Sequence, residues 1–181
     1  MSIFSDPRIT VMLSKSEIET RIATLGEEIT RAYKDDPAEL VLVGILKGSV
    51  VFLADLARAI DLPLKLDFIG LSSYGDATTS SGVVRLTSDL SKPIDGKNVL
   101  VVEDIVDTGL TMRYLLENLA TRNPMSVRLC ALLEKPTKNT SGVVVDYLGF
   151  TIPDKFVIGY GLDYGEKYRN LPFVGVFEQS K

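Results

Sequence analysis

Three short, almost uninterrupted apolar runs, Leu40–Leu46, Val99–Val102 and Val127–Leu133, constrain this chain more than any other feature. A strand that is apolar at nearly every position must be covered on both faces, which is the condition of a strand inside a parallel sheet. Parallel neighbours need long crossovers, usually helical, and the chain supplies helical patterns around the runs. Ser14-Lys15-Ser16-Glu17 has capping-box spacing, and Ile18, Ile22, Leu25 and Ile29 then recur at helical intervals to about Tyr33, where Asp35-Asp36-Pro37 stops the pattern. Gly48 to Ile60 reads as a second helix, and about Thr111 to Arg122 as a third. Further strands read at Leu64–Leu71, at Val83–Leu86 pairing with it, at Phe156–Ile158 and at Val174–Phe177. The fold expected is α/β, a parallel sheet flanked by helices, in a single domain over residues 1–181.

Composition removes several classes of function. A net charge of −4 leaves no electrostatic footprint for nucleic acid. The chain contains no histidine, so His-based triads and most zinc sites are excluded, and acid–base chemistry falls to carboxylates, Lys or Tyr. The single cysteine, Cys130, lies in an apolar run and reads as a buried small hydrophobe, consistent with a reducing, cytoplasmic setting. No apolar run reaches membrane-spanning length, and Met1–Met12 lacks the pattern of a secretory signal. An acidic chain that binds an anion must build a local cationic site, so the places of individual Lys and Arg residues carry information.

The densest chemistry lies in Val101-Val102-Glu103-Asp104-Ile105-Val106-Asp107-Thr108-Gly109-Leu110-Thr111. A buried strand runs into two adjacent carboxylates, then a third, then a small hydroxyl-bearing loop and a helix. Ligands of open α/β sheets sit outside the carboxyl ends of the strands. Backbone N–H groups of Asp107–Thr111, with the hydroxyls of Thr108 and Thr111, can cradle a phosphate monoester. The loop lacks the Gly-Lys-Ser/Thr ending of a nucleoside triphosphate P-loop. Glu103 and Asp104 repel one another unless sugar hydroxyls or a divalent metal compensate. The plain alternative is an acidic turn in which Asp107 or Thr108 caps the helix.

This string resembles the signature of the type I phosphoribosyltransferases, and the chain most closely resembles their hypoxanthine(-guanine) branch. The similarity extends to Gly44-Ile45-Leu46-Lys47-Gly48, Ser73-Tyr74, Lys135, the run Ile152 to Tyr164, and Arg169, in the family's order. The resemblance implies a sheet-and-helix fold with a flexible lid loop and a small hood. It implies purine salvage: Mg²⁺-dependent transfer of the 5-phosphoribosyl group from phosphoribosyl pyrophosphate to a 6-oxopurine base. It also implies a homo-oligomer, a dimer or tetramer.

Residue by residue, the resemblance makes Glu103 and Asp104 the holders of the ribose hydroxyls and, with Asp163, of Mg²⁺. It makes Asp107 the acid–base group beside N7 of the purine, and Thr108, Gly109, Leu110 and Thr111 the 5′-phosphate loop. Leu46, Lys47 and Gly48 fall at the pyrophosphate, with a non-proline cis peptide implied at Leu46-Lys47, and Arg169 is a second pyrophosphate ligand whose planar fork suits that role. Ser73 and Tyr74 lie in the unpatterned segment Ser72–Gly82, which reads as a lid that excludes water. Lys135 would donate to O6, Phe156 would stack on the ring, and Val157 would meet the base through its backbone. Gly159 to Gly165 imitates a dinucleotide fingerprint, but the third glycine is one place late and no βαβ unit follows. The rival readings are a transferase for xanthine or adenine, an RNA-binding regulator on the same fold, which the net charge opposes, and a small GTPase, which the missing P-loop lysine opposes.

Overall fold

The computed structural model describes residues 3–73 and 84–178. After a short 3₁₀ turn the chain forms β1 (Ile9–Leu13), α1 (Lys15–Tyr33), β2 (Leu40–Leu46), α2 (Val50–Ala59), β3 (Leu64–Ser73) and β4 (Val84–Ser88). It continues through β5 (Asn98–Val106), α3 (Leu110–Ala120), β6 (Ser126–Glu134), β7 (Tyr147–Thr151), β8 (Val157–Ile158) and β9 (Val174–Phe177). The capping box at α1 is complete: Ser14 accepts from Glu17 N, and the Glu17 side chain accepts from Ser14 N.

Six strands form the main sheet in the order β4-β3-β2-β5-β6-β7. The neighbours from β3 to β7 are parallel; β4 pairs with β3 as the sequence suggested, and runs antiparallel to it. Alternate residues of the central strands feed two cores. Leu42, Leu100 and Val102 pack with Ile18, Leu25, Phe52 and Leu56 of α1 and α2. Val41, Val43, Val99 and Val101 pack with Met112, Leu115 and Leu119 of α3. The apolar runs are therefore apolar because neither face meets water.

A second, three-stranded antiparallel sheet, β1-β9-β8, is the small hood. Two features depart from the sequence reading. β1 and β7 do not stand out in the sequence because each is short and only partly buried. β5 continues through Glu103 and Asp104 to Val106, so both carboxylates lie on the strand and not in a loop after it. The connection from β6 to β7, residues 135–146, holds turns and irregular chain.

The contact between α1 and α2 depends on a glycine. A Cβ at Gly26 would stand 2.3 Å from the Ala59 carbonyl oxygen. Gly-to-Ala in a helix ordinarily stabilises by about 1 kcal/mol; forcing a methyl against backbone costs about 1–3 kcal/mol. Gly26→Ala is therefore expected to lower the urea midpoint rather than raise it. A midpoint above the parent's would mean that the helices can separate without cost.

Candidate active site

Three backbone segments meet above the carboxyl ends of β2 and β5. The peptide Leu46-Lys47, at the end of β2, is cis, as the resemblance implied. Gly48 follows, and a Cβ there would fall 1.6 Å from Asp104 Oδ2. From the opposite side comes Gly161, with φ +102°, where a Cβ would fall 2.0 Å from the Gly48 carbonyl oxygen. The close approach needs both glycines, one for lack of a side chain and one for its backbone as well. Ser49 spends its hydroxyl on Ile45 O (2.7 Å) and does not cap α2.

Glu103 and Asp104 go different ways, as successive strand residues do. Glu103 faces the hollow under α3, while Asp104 turns to Gly48 and accepts from Ile105 N at 2.7 Å. Glu103 Oε2 is buried with no hydrogen-bond partner. Burial, and after it the charge of Asp104, pushes the Glu103 carboxyl well above its ordinary range. Burial likewise pushes Asp104 from 3.8 to about 6. These groups are short of positive charge or of hydroxyl donors, and both a divalent cation and ribose hydroxyls fit that need.

The loop after β5 leads straight into a helix N-terminus. Gly109 is the N-cap of α3, with φ +76° and no side-chain cap bond. Leu110 N donates to Thr108 Oγ1 at 3.4 Å, a long bond that an anion at the helix N-terminus could replace. Thr108, Gly109 and Thr111 line the hollow, and Leu110 is exposed. The loop is backed by the chain after Lys135: Thr140 N and Ser141 N both donate to Thr108 O at 3.2 Å. Ser141 also packs so tightly on Gly109 that a Cβ would meet its Oγ at 2.2 Å.

Lys135 is buried, and its Nζ lies 3.7 Å from Asp107 Oδ2 and 3.4 Å from Asp154 Oδ1. Asp107 Oδ1 is buried without a partner. Asp154 had no role in the sequence reading; it holds Lys135 on one side and Lys138, at 3.1 Å, on the other. Only its place within the Ile152 to Tyr164 run could have marked it. Phe156 precedes β8 and does not enter the core: it is 45% exposed, with Tyr164 edge-on at 5.8 Å. β8 is an edge strand. Phe177 N donates to Phe156 O (3.1 Å), so Val157↔Val176 is a non-hydrogen-bonded pair, and the N–H and C=O of Val157 face the open side.

The last group surrounds Arg169. Its guanidinium donates to Gly161 O (2.8 Å), pairs with Asp163 Oδ1 (2.8 Å) and reaches Glu166 Oε1 (3.3 Å). Lys47 pairs with Glu166 Oε2 at 2.8 Å. Gly159 to Gly165 forms tight turns and no strand–helix unit, in line with the rejection of a dinucleotide motif.

Among the described residues no group of three His, Cys, Asp or Glu side chains could by itself hold a metal ion. Glu103, Asp104 and Asp163, the expected Mg²⁺ carboxylates, each have other surroundings. Asp163 is committed to Arg169 and to Glu166 N, and Glu103 faces away from Asp104. Ser73 ends β3, and its side chain, Tyr74 and most of the expected lid segment lie outside the described residues.

The chain belongs to the phosphoribosyl transferase family, whose domain model matches residues 12–165. Within it the relatives share one activity by name. The chain is 51% identical over 173 residues to the hypoxanthine-guanine phosphoribosyltransferase of Mycobacterium avium, covering 93% of this chain and 85% of that one. It is 47% identical over 167 residues to the hypoxanthine phosphoribosyltransferase of Salmonella typhimurium, covering 92% and 94%. Among solved structures, the hypoxanthine phosphoribosyltransferase of Staphylococcus aureus superimposes with a TM-score of 0.89 at 42% identity, covering 93% and 91% of the two chains. That of Trypanosoma cruzi, solved with its product IMP, also gives 0.89, at 40% identity over 96% and 97%.

Burial of Asp104 has a consequence for stability. A carboxyl with a raised folded pKa is bound to its proton more tightly when folded, so the folded state loses stability as pH rises from about 3.8 to about 6. Asp104→Asn keeps the oxygen that Ile105 N uses and removes the charge. The ligand-free variant is expected to be more stable than the parent at pH 7.5, on the order of 1 kcal/mol, with the advantage shrinking toward pH 4. Chemical denaturation at the two pH values measures this; an equal gain at both would show that the buried charge is not the cause.

Proposed function

We propose that the chain is a purine salvage enzyme that transfers the 5-phosphoribosyl group of phosphoribosyl pyrophosphate to N9 of hypoxanthine, and of guanine, giving IMP or GMP and pyrophosphate. The observation that carries this reading is the pairing of buried Lys135 with Asp107, 3.7 Å apart. O6 and N7 of a 6-oxopurine stand side by side on one edge of the base. A lysine donor facing O6 and a carboxylate facing N7 match that edge, and an adenine amino group in place of O6 would confront a donor with a donor. The exposed ring of Phe156 and the free backbone edge of Val157 supply a stacking surface and hydrogen bonds on the hood side.

In this reading the 5′-phosphate sits on Thr108, Gly109, Leu110 and Thr111 at the α3 N-terminus. The ribose hydroxyls lie against Glu103 and Asp104, and the pyrophosphate takes Leu46, Lys47, Gly48 and Arg169. Glu103, Asp104 and Asp163, together with the substrate, would hold Mg²⁺, whose charge would neutralise the leaving group. The N9 lone pair forms the bond to the anomeric carbon as the bond to pyrophosphate breaks and its electron pair leaves with the pyrophosphate. The proton on N7 passes to the Asp107 carboxylate. The resemblance assigns Ser73 and Tyr74 to a lid; Tyr74 and the side chain of Ser73 lie outside the described residues. Apolar side chains exposed on β3, Leu66 and Phe68, support a homo-oligomer, a dimer or tetramer. No helix among the described residues is long and apolar enough to cross a membrane, which together with the lone buried Cys130 supports a cytoplasmic enzyme.

Initial rates with hypoxanthine, guanine, xanthine and adenine at one concentration of phosphoribosyl pyrophosphate test the assignment. Turnover is expected with hypoxanthine and guanine, little with adenine, and none after chelation of divalent metal. Adenine used as well as hypoxanthine would remove Lys135 from the O6 role, and full activity after chelation would remove the metal.

Asp107→Asn keeps the size of the side chain but cannot take the proton. Its kcat is expected to fall ~10²–10⁴-fold, with far less change in affinity for phosphoribosyl pyrophosphate, since Thr108, Gly109 and Thr111 still hold the phosphate. Pre-steady-state measurement of nucleotide formation reads the chemical step directly. A step within a few-fold of the parent would return Asp107 to a structural role.

A further inference from the structure

Glu166 occupies a tight turn, and its own side chain packs into no core. Tyr164 N donates to Lys167 O at 3.1 Å and Lys167 N to Tyr164 O at 3.2 Å. The central residues Gly165 and Glu166 have φ +58° and +65°, the mirror-image hairpin turn. Glycine adopts this backbone freely; glutamate does so at a cost. The result is a carboxylate aimed at two cations. Glu166 Oε2 accepts from Lys47 Nζ at 2.8 Å, and Oε1 accepts from Arg169 Nη2 at 3.3 Å. The side chain remains 64% exposed, so its hold is electrostatic and not one of packing. With Asp163 also on Arg169, two cations face two carboxylates, and the group carries no net charge. A polyanion entering here gains less from Lys47 and Arg169 while both carboxylates stay, and Glu166 is the more exposed of the two.

We propose that Glu166 is a resident counter-anion of the pyrophosphate subsite: it neutralises Lys47 and Arg169 when the subsite is empty, yields to the incoming pyrophosphate group, and returns as pyrophosphate departs. This rests on the reading that Lys47 and Arg169 receive pyrophosphate. Lys47 holds the Glu166 carboxyl below its usual range, so it stays charged through the neutral pH range. Exposed pairs of this kind are weak, which suits a contact that must break and re-form in each turnover. The substrate and the leaving product share the subsite, so the same carboxylate lowers affinity for one and speeds release of the other.

The test is calorimetric titration of the full chain with inorganic pyrophosphate at low ionic strength, without added divalent metal, comparing the parent with Glu166→Gln. Glutamine keeps the size and one acceptor oxygen but not the charge. Pyrophosphate is expected to bind the variant tighter by about 2- to 20-fold, the sum of two exposed pairs, and the gain should shrink as salt rises. IMP, which makes no use of the pyrophosphate cations, should bind both proteins alike; this also checks the fold. Equal or weaker pyrophosphate binding by the variant, with IMP unchanged, overturns the counter-anion and makes Glu166 a support for Lys47. If IMP binds but pyrophosphate binds neither protein, the assignment of the subsite to Lys47 and Arg169 is what fails.

Discussion

At Gly48 even one side-chain carbon would lie 1.6 Å from Asp104 Oδ2, and at Gly161 one would lie 2.0 Å from Gly48 O. This stack of end-of-strand carboxylate, bare backbone and hood loop joins the two sheets. It sets how near the hood loop can approach the end of β5, and so where Arg169, bonded to Gly161 O, places its guanidinium. Backbone contact is stiffer than side-chain contact because no rotamer can relieve it. A site that must bring three separate segments of chain to one small polyanion gains from that stiffness.

The same construction leaves buried carboxylate oxygens without a hydrogen bond. Glu103 Oε2 and Asp107 Oδ1 are buried and unbonded, and the carboxyls of Glu103 and Asp104 are raised by burial. A fold selected only for stability would pair such groups or replace them. Here the main sheet is apolar up to Val102 and abruptly acidic beyond it. The hydrophobic faces of α1, α2 and α3 on β2 and β5 supply the stability that lets the strand end carry this unfavourable charge. Ribose hydroxyls and a cation bound as proposed would meet groups already desolvated, with little reorganisation left for the moment of reaction.

Much of this was legible in the sequence, for a physical reason. β2 was read at its observed bounds because a strand covered on both faces leaves an unbroken apolar run, and α1 because its cap and its apolar stripe agree. β7 stayed hidden because Gly149 interrupts it, where a Cβ would strike Leu132 O at 2.3 Å. The site loops were legible as a string of unusual residue types, but not their partners. Nothing local to Asp154 says that it will hold Lys135, nineteen residues away, at 3.4 Å. Nothing local to Glu166 says that it will meet Lys47, which is 119 residues distant. Long-range ion pairs depend on topology, and topology is what a local pattern leaves out.

That division applies even to Glu103 and Asp104, which are neighbours in sequence but not in facing. Because β5 runs on past them, the strand's two-residue period separates them, one toward the α3 hollow and one toward Gly48. Extending the strand by a few residues thus gives each carboxylate its own surroundings: the hollow beside the loop after β5 for Glu103, and Gly48 beside the cis peptide for Asp104. In the proposed function a ribose lying between two phosphate groups would reach both.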